Sequence, residues 1–333
     1  MPFQEEIDIL VKKGKLPEFV SGIMKKFYSS YVTAVSKNGY TSNDVAPILS
    51  QLLKFCVKQI SHPYRFEPYH KKIREPVDYY QFGNDFIRPL IRWKESKVLG
   101  QPSLHAIERQ IAQGENVVLL ANHQIEPDPQ AISLLLEKEH PKLADEMIFV
   151  AGHRVITDPL AVPFSLGRNL ICIYSKRHME NPPEQKAEKL LHNQRAMKKL
   201  GSLLSEGGKC IYVAPSGGRD RPDAEGSVQP AEFDPQSVEL FHLLAKGAKS
   251  PTHFYPLALA TFKILPPPST VEKELGEKRE ANAAPIHLNF GSEVQLEALN
   301  DPHKSKQENR VFRAQTLTHI VRELYHELEN LTP

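Results

Sequence analysis

The chain has very little cysteine: Cys56, Cys172 and Cys210 are scattered through 333 residues. Three dispersed thiols cannot build a disulfide framework, and none forms a C-x-x-C metal pair, so a reducing compartment is expected. No run of about 18 apolar residues is free of charge, which excludes a bilayer-spanning helix and leaves only peripheral membrane contact open. A surplus of one charge is missing too. The 42 Lys and Arg nearly balance the 40 Asp and Glu, for a formal net charge of +2. No global field therefore singles out nucleic acid as a partner, and any anion recognition must be local. The opening Met1-Pro2-Phe3-Gln4-Glu5-Glu6 has neither the basic-then-apolar layout of a signal peptide nor the acid-poor composition of a transit peptide. A soluble chain is expected, with any targeting segment already lost.

What is present is the composition of an ordinary globular protein, 40% hydrophobic and 25% charged, in a chain long enough for two domains. From Pro17 to Val35 the apolar residues Phe19, Val20, Ile23, Met24, Phe27, Tyr31 and Val35 recur at the spacing of one helical face. A second amphipathic helix is predicted behind the capping cluster Ser42-Asn43-Asp44. The proline-interrupted stretch Ser61 to Pro68 breaks this period, and the boundary is placed near residue 75. Residues 1–75 thus read as a small all-α bundle and 76–333 as an α/β domain, a β-sheet flanked by helices. Its predicted strands are Asn116 to Ala121, Met147 to Ala151, Leu170 to Tyr174, Cys210 to Ala214, Phe254 to Thr261 and Ile286 to Phe290. Helices are predicted at 129–139, 187–206, 237–246 and 306–330.

The residues able to do chemistry fall at strand ends, where open α/β sheets gather ligands. After Val117 to Ala121 comes Asn122-His123-Gln124-Ile125-Glu126-Pro127-Asp128-Pro129, which sets an imidazole and a carboxylate five positions apart in a proline-stiffened turn. Asp128 can fold back onto one ring nitrogen of His123, leaving the other free to accept a proton. With no G-x-S-x-G elbow, the attacking group would be a substrate hydroxyl. The stretch reads equally as a helix start capped by Asp128; as a pair of metal ligands it lacks any other His/Cys/Asp cluster at ligand spacing to complete a site. Ala214-Pro215-Ser216-Gly217-Gly218-Arg219-Asp220-Arg221 follows another strand; its glycines allow close backbone approach and its arginines offer forked donors to a phosphate, although a tight turn with two solvated arginines has the same string. It is not a P-loop. Ser175-Lys176-Arg177-His178 is a further cationic strand end, and the two cations of Ala151-Gly152-His153-Arg154 and Gly167-Arg168-Asn169, Arg154 and Arg168, are expected to pair with local carboxylates.

Taken in order, Asn122-His123-Gln124 with Glu126 and Asp128, Phe149 to Gly152, Asn169 to Cys172, Tyr174 to Met179, Ala214 to Arg221, Tyr255-Pro256 and Pro266-Pro267-Pro268 resemble the soluble plastid-type glycerol-3-phosphate acyltransferases. These belong to the wider glycerolipid acyltransferase superfamily. The resemblance covers roughly residues 110–295. It implies transfer of a fatty acyl group from acyl carrier protein, or from CoA, to the sn-1 hydroxyl of glycerol 3-phosphate, with no metal or organic cofactor. It also implies a helical bundle on a larger α/β domain, in a plastid stroma or a bacterial cytoplasm. His123 would be the general base and Asp128 its orienting partner, while Arg177, His178, Arg219 and Arg221 would hold the substrate phosphate. Arginine at 177 replaces the family's usual lysine, which keeps the charge and changes the donor geometry. Lys12, Lys13, Lys15, Lys25 and Lys26 are candidates to meet an acidic carrier protein. Rival readings are acylation of lysophosphatidate, hydrolysis of the thioester, and binding of a phosphorylated ligand or carrier protein without chemistry.

Overall fold

The computed structural model describes residues 3–175, 179, 182–268 and 280–331. It begins with helices α1 (Phe3–Lys12), α2 (Glu18–Ser36) and α3 (Ser42–Ser61). The cap of α3 sits one residue earlier than the sequence suggested. Thr41 accepts from the Asp44 amide while the Asp44 carboxylate takes the Thr41 amide, a reciprocal capping box. Along α2 the apolar face buries Val20, Met24, Tyr31 and Val35, and the Tyr31 hydroxyl donates to the Phe86 carbonyl at 2.6 Å. That bond ties the bundle to α4 (Tyr79–Ile87).

The rest is an α/β layer. Its strands are β1 (Tyr69–His70), β2 (Lys97–Leu99), β3 (Asn116–Ala121), β4 (Ile148–Gly152), β5 (Asn169–Ile173), β6 (Cys210–Val213), β7 (Thr252–Ala260) and β8 (His287–Phe290). Among the described residues they form one sheet of eight strands in the order β1-β5-β4-β6-β3-β7-β8-β2. The run β5-β4-β6-β3-β7 is parallel, β8 is antiparallel to β7, and β1 is antiparallel to β5. The sheet is therefore mixed. Helices connect and cover it: α5 (Gln101–Ala112), α6 (Asp128–Leu136), α7 (Pro141–Glu146), α8 (Val162–Ser165), α9 (Lys186–Glu206), α10 (Pro235–Gly247) and α11 (Lys306–Glu329).

Strand β3 shows why the layers form, since all six of its residues are buried. Val117, Leu119 and Ala121 point into a core with Leu104 and Ile107 of α5 and Ile132 of α6. Val118 and Leu120 point the other way, against Ala196, Leu200 and Leu203 of α9 and Leu317 of α11. Period-two alternation that is apolar on both faces is what a central parallel strand requires. The bundle has no separate core. Its buried residues, such as Met24, Leu49 and Leu53, continue without a break into Phe82 and Phe86 of α4, Ala131 and Leu134 of α6, and Val162 of α8.

Candidate active site

The site is built where β3 ends. Asn122 extends the pairing with β7 by its side chain: its Oδ1 accepts from the Leu259 amide at 2.8 Å and its Nδ2 donates to the Leu259 carbonyl at 3.0 Å. Side-chain atoms thus replace a ladder rung, and the backbone is released to turn toward α6. Gln124 fastens the turn from the other direction, its Oε1 accepting from the amides of Thr261 at 2.7 Å and Phe262 at 2.9 Å.

Asp128, the first residue of α6, is fully buried and surrounded by donors. Its Oδ2 lies 2.8 Å from His123 Nδ1 and accepts from the amides of Gln124 at 2.8 Å and Ile125 at 3.2 Å. Its Oδ1 accepts from the Thr261 hydroxyl at 2.5 Å. A carboxylate so enclosed has no freedom to leave the imidazole. With Nδ1 donating to Asp128, Nε2 is the nitrogen with the lone pair.

The loop after β6 clasps the same turn. The Asp220 amide donates to the His123 carbonyl at 2.6 Å, and the Tyr212 hydroxyl donates to the Asn122 carbonyl at 2.7 Å. The Asp220 carboxyl is buried, accepting from Asn122 Nδ2 at 2.8 Å and the Ala231 amide at 2.9 Å. Burial pushes its pKa up to about 6, and the bonds from Ala231 and Asn122 and the neighbouring His123 offset only part of that rise.

His123, Asp128, Arg219 and Arg221 line one groove of about 1210 Å³. That is larger than most small-molecule sites, with room for a long apolar group beside a small polar one. Arg219 Nη1 lies 3.5 Å from Glu126 Oε1, and Arg221 donates to the Pro268 carbonyl. The structure thus brings together four of the six candidate site residues; Arg177 and His178 lie outside the described residues. Arg168, expected to pair with a carboxylate, instead binds Ser133 Oγ at 2.5 Å and the Asn84 side chain, buried at 2% exposure. Lys12, Lys13, Lys15 and Lys26 are exposed, and Lys25 pairs with Asp8. All three cysteines are buried, and burial pushes the Cys172 and Cys210 thiols up to about 12, which makes them poor nucleophiles. Among the described residues no cluster of three or more His, Cys, Asp or Glu could hold a metal.

Sequence reasoning missed Thr261, Asp220 and Tyr212 as supports of the site. Thr261 stands 133 positions from the carboxylate it holds, and no local pattern announces such a partner. Asp220 lies inside a motif that was read for its arginines.

A histidine–carboxylate pair opens into a large groove, and the family model described as Acyltransferase matches residues 104–260. The protein is an acyltransferase. The chloroplastic glycerol-3-phosphate acyltransferase of Spinacia oleracea is 42% identical over 319 residues, 95% of this chain and 68% of that one. Its counterpart in Arabidopsis thaliana is 41% identical over 320 residues, 95% of this chain and 70% of its own. The chain belongs to the glycerol-3-phosphate acyltransferase family. Among solved structures, the 1-acyl-sn-glycerophosphate acyltransferase PlsC of Thermotoga maritima aligns with a TM-score of 0.40 at 17% identity, over 74% of this chain and 78% of that one. That likeness is too loose to carry an argument.

Proposed function

We propose that this chain transfers a fatty acyl group from a thioester, that of acyl carrier protein, to the sn-1 hydroxyl of glycerol 3-phosphate. The product is lysophosphatidate and the location, following the chloroplastic relatives, is the plastid stroma. The observation that carries the chemistry is the contact of His123 Nδ1 with a fully buried Asp128 at 2.8 Å, on a groove that Arg219 and Arg221 also line.

In this reading His123 Nε2 accepts the proton of the substrate hydroxyl as its oxygen bonds to the thioester carbon. Asp128 stabilises the imidazolium that forms. The tetrahedral intermediate then collapses, the carbon–sulfur bond breaks, and the leaving thiolate takes the proton back from His123. Arg219 and Arg221, with Arg177 and His178, hold the phosphate and so position the hydroxyl; charge-assisted and forked contacts suit a dianion. Neither serine nor cysteine is needed as a covalent carrier.

The test is product formation from labelled acyl-carrier-protein thioester, with and without glycerol 3-phosphate, for wild type and His123→Ala. General-base assistance contributes about 10²–10⁴-fold, so the variant should lose at least that much while the acceptor still binds. Product made without acceptor, or in equal amount by the variant, would exclude the mechanism.

A further inference from the structure

The groove is lined by both cationic and apolar side chains. Toward the loop after β6 its described lining includes Ser216, Arg219, Arg221 and Arg322. Side chains of the bundle line it as well, Ile23, Met24 and Phe27 of α2 and Leu52 of α3, beside apolar residues of the α/β layer such as Phe149, Ile173 and Met197. Residues 23, 24 and 27 share one face of α2, and a step of one turn back along that face reaches Phe19, 63% exposed. Met24 and Leu52 are buried, whereas Ile23 and Phe27 are only half-buried. The bundle therefore presents incompletely covered apolar surface to the same space that the base faces.

The bundle wall is also held rigidly. Phe27 stacks on Phe86 of α4 at 5.9 Å between ring centroids, and Phe86 meets Phe164 of α8 edge-on at 5.0 Å. Phe164 lines the groove as well. An aromatic chain thus links α2, α4 and α8 across one continuous core, fixing the width of the apolar space between them.

We propose that the N-terminal helices are part of the acyl-chain site, with Ile23 and Phe27 of α2 and Leu52 of α3 forming a wall that sets which chain lengths are accepted. This deepens the acyl-transfer reading and rests on it. If Arg219 and Arg221 fix the phosphate and His123 fixes the thioester carbon between them and the bundle, the chain has to leave away from the arginines. On the bundle side it meets the apolar side chains of α2 and α3. The bundle is then a substrate-selecting element.

The experiment supplies a short and a long saturated acyl-carrier-protein thioester together, with glycerol 3-phosphate, and reads the ratio of the two products. Ile23→Trp narrows the space without removing packed core, and should lower the long-to-short ratio about tenfold or more, since one methylene in an apolar pocket is worth about 10–200-fold in discrimination. Phe27→Ala should raise the ratio. The KM for glycerol 3-phosphate should stay unchanged in both. A merely structural wall would slow both chains equally, so an unaltered ratio in the two variants, each shown to melt cooperatively, overturns the proposal. Wild type that acylates glycerol 3-phosphate from neither donor overturns the acyl-transfer reading itself, and this inference with it.

Discussion

Arg219 and Arg221 differ in how the protein already uses them. Arg219 is 9% exposed and near the Glu126 carboxylate, while Arg221 gives a donor to the carbonyl of Pro268. Each guanidinium has five donors in a planar fork, so these contacts orient the side chain, and both arginines line the groove. Substrate phosphate is present in ground state and transition state alike, and loss of such uniform binding appears in KM rather than kcat. Arg219→Ala and Arg221→Ala should each raise the KM for glycerol 3-phosphate by roughly 10–100-fold, from about 1.5–3 kcal/mol per charge-assisted contact. Initial rates against acceptor concentration measure this directly. An unchanged KM in both variants would remove the pair from the phosphate site.

At the scale of elements, the turn that carries His123 and Asp128 is held between two strand ends. β7 pairs with the side chain of Asn122, Thr261 and Phe262 just beyond it bind Gln124, and the loop after β6 reaches across with Asp220. Asp220 makes this clasp sensitive to pH. Burial raises its pKa from the ordinary 3.8 to about 6, so the fold favours the protonated carboxyl. Its contribution to stability is complete below pH 3.8 and is lost as pH rises through about 6. A shift of that size corresponds to about 3 kcal/mol. Asp220→Asn has no proton to lose, so the unfolding free energy of wild type should fall relative to that of the variant between about pH 4 and pH 6. Denaturant titrations at several pH values would reveal it, and parallel curves for the two proteins would mean that Asp220 is not the group responsible.

The same elements show what the sequence could and could not reveal. The central strands β3 and β6 are apolar runs that end in functional motifs, so both their position and the candidates His123, Asp128, Arg219 and Arg221 are legible. Strands β1 and β2 are two and three residues long, too short to develop a period. Helix α5 does carry Leu104, Ile107 and Ile111 at helical spacing, but its polar remainder hides them. The supports of the turn were hidden for another reason. Thr261 and Asp220 act through tertiary contact, and their distance along the chain from Asp128 and Asn122 carries no local signal.

Over the whole molecule, the change of pattern near residue 75 separates two kinds of secondary structure without separating two cores. Phe3, Ile7, Val45, Leu49 and Leu53 from the first three helices share one buried cluster with Phe82, Ile87, Ala131, Val162 and Ile264 from beyond that point. Burial of each large apolar side chain is worth about 1.5–3 kcal/mol, so removing the bundle would uncover far more than the 5–15 kcal/mol that typically holds a domain folded. The fragment 76–333 should therefore expose the α4, α6 and α8 faces, bind a hydrophobic dye, and melt without a cooperative transition. The His123–Asp128 turn would suffer directly, because Ala131 and Leu134 of α6 belong to that shared cluster and Asp128 is the first residue of the same helix. Mixing the fragment with separately produced 1–75 should restore a cooperative melt if the two halves refold on one another. A fragment 76–333 that is monomeric, melts sharply and transfers acyl groups at the wild-type rate would show that the α/β layer folds and works alone, and that the shared cluster is a contact between finished domains.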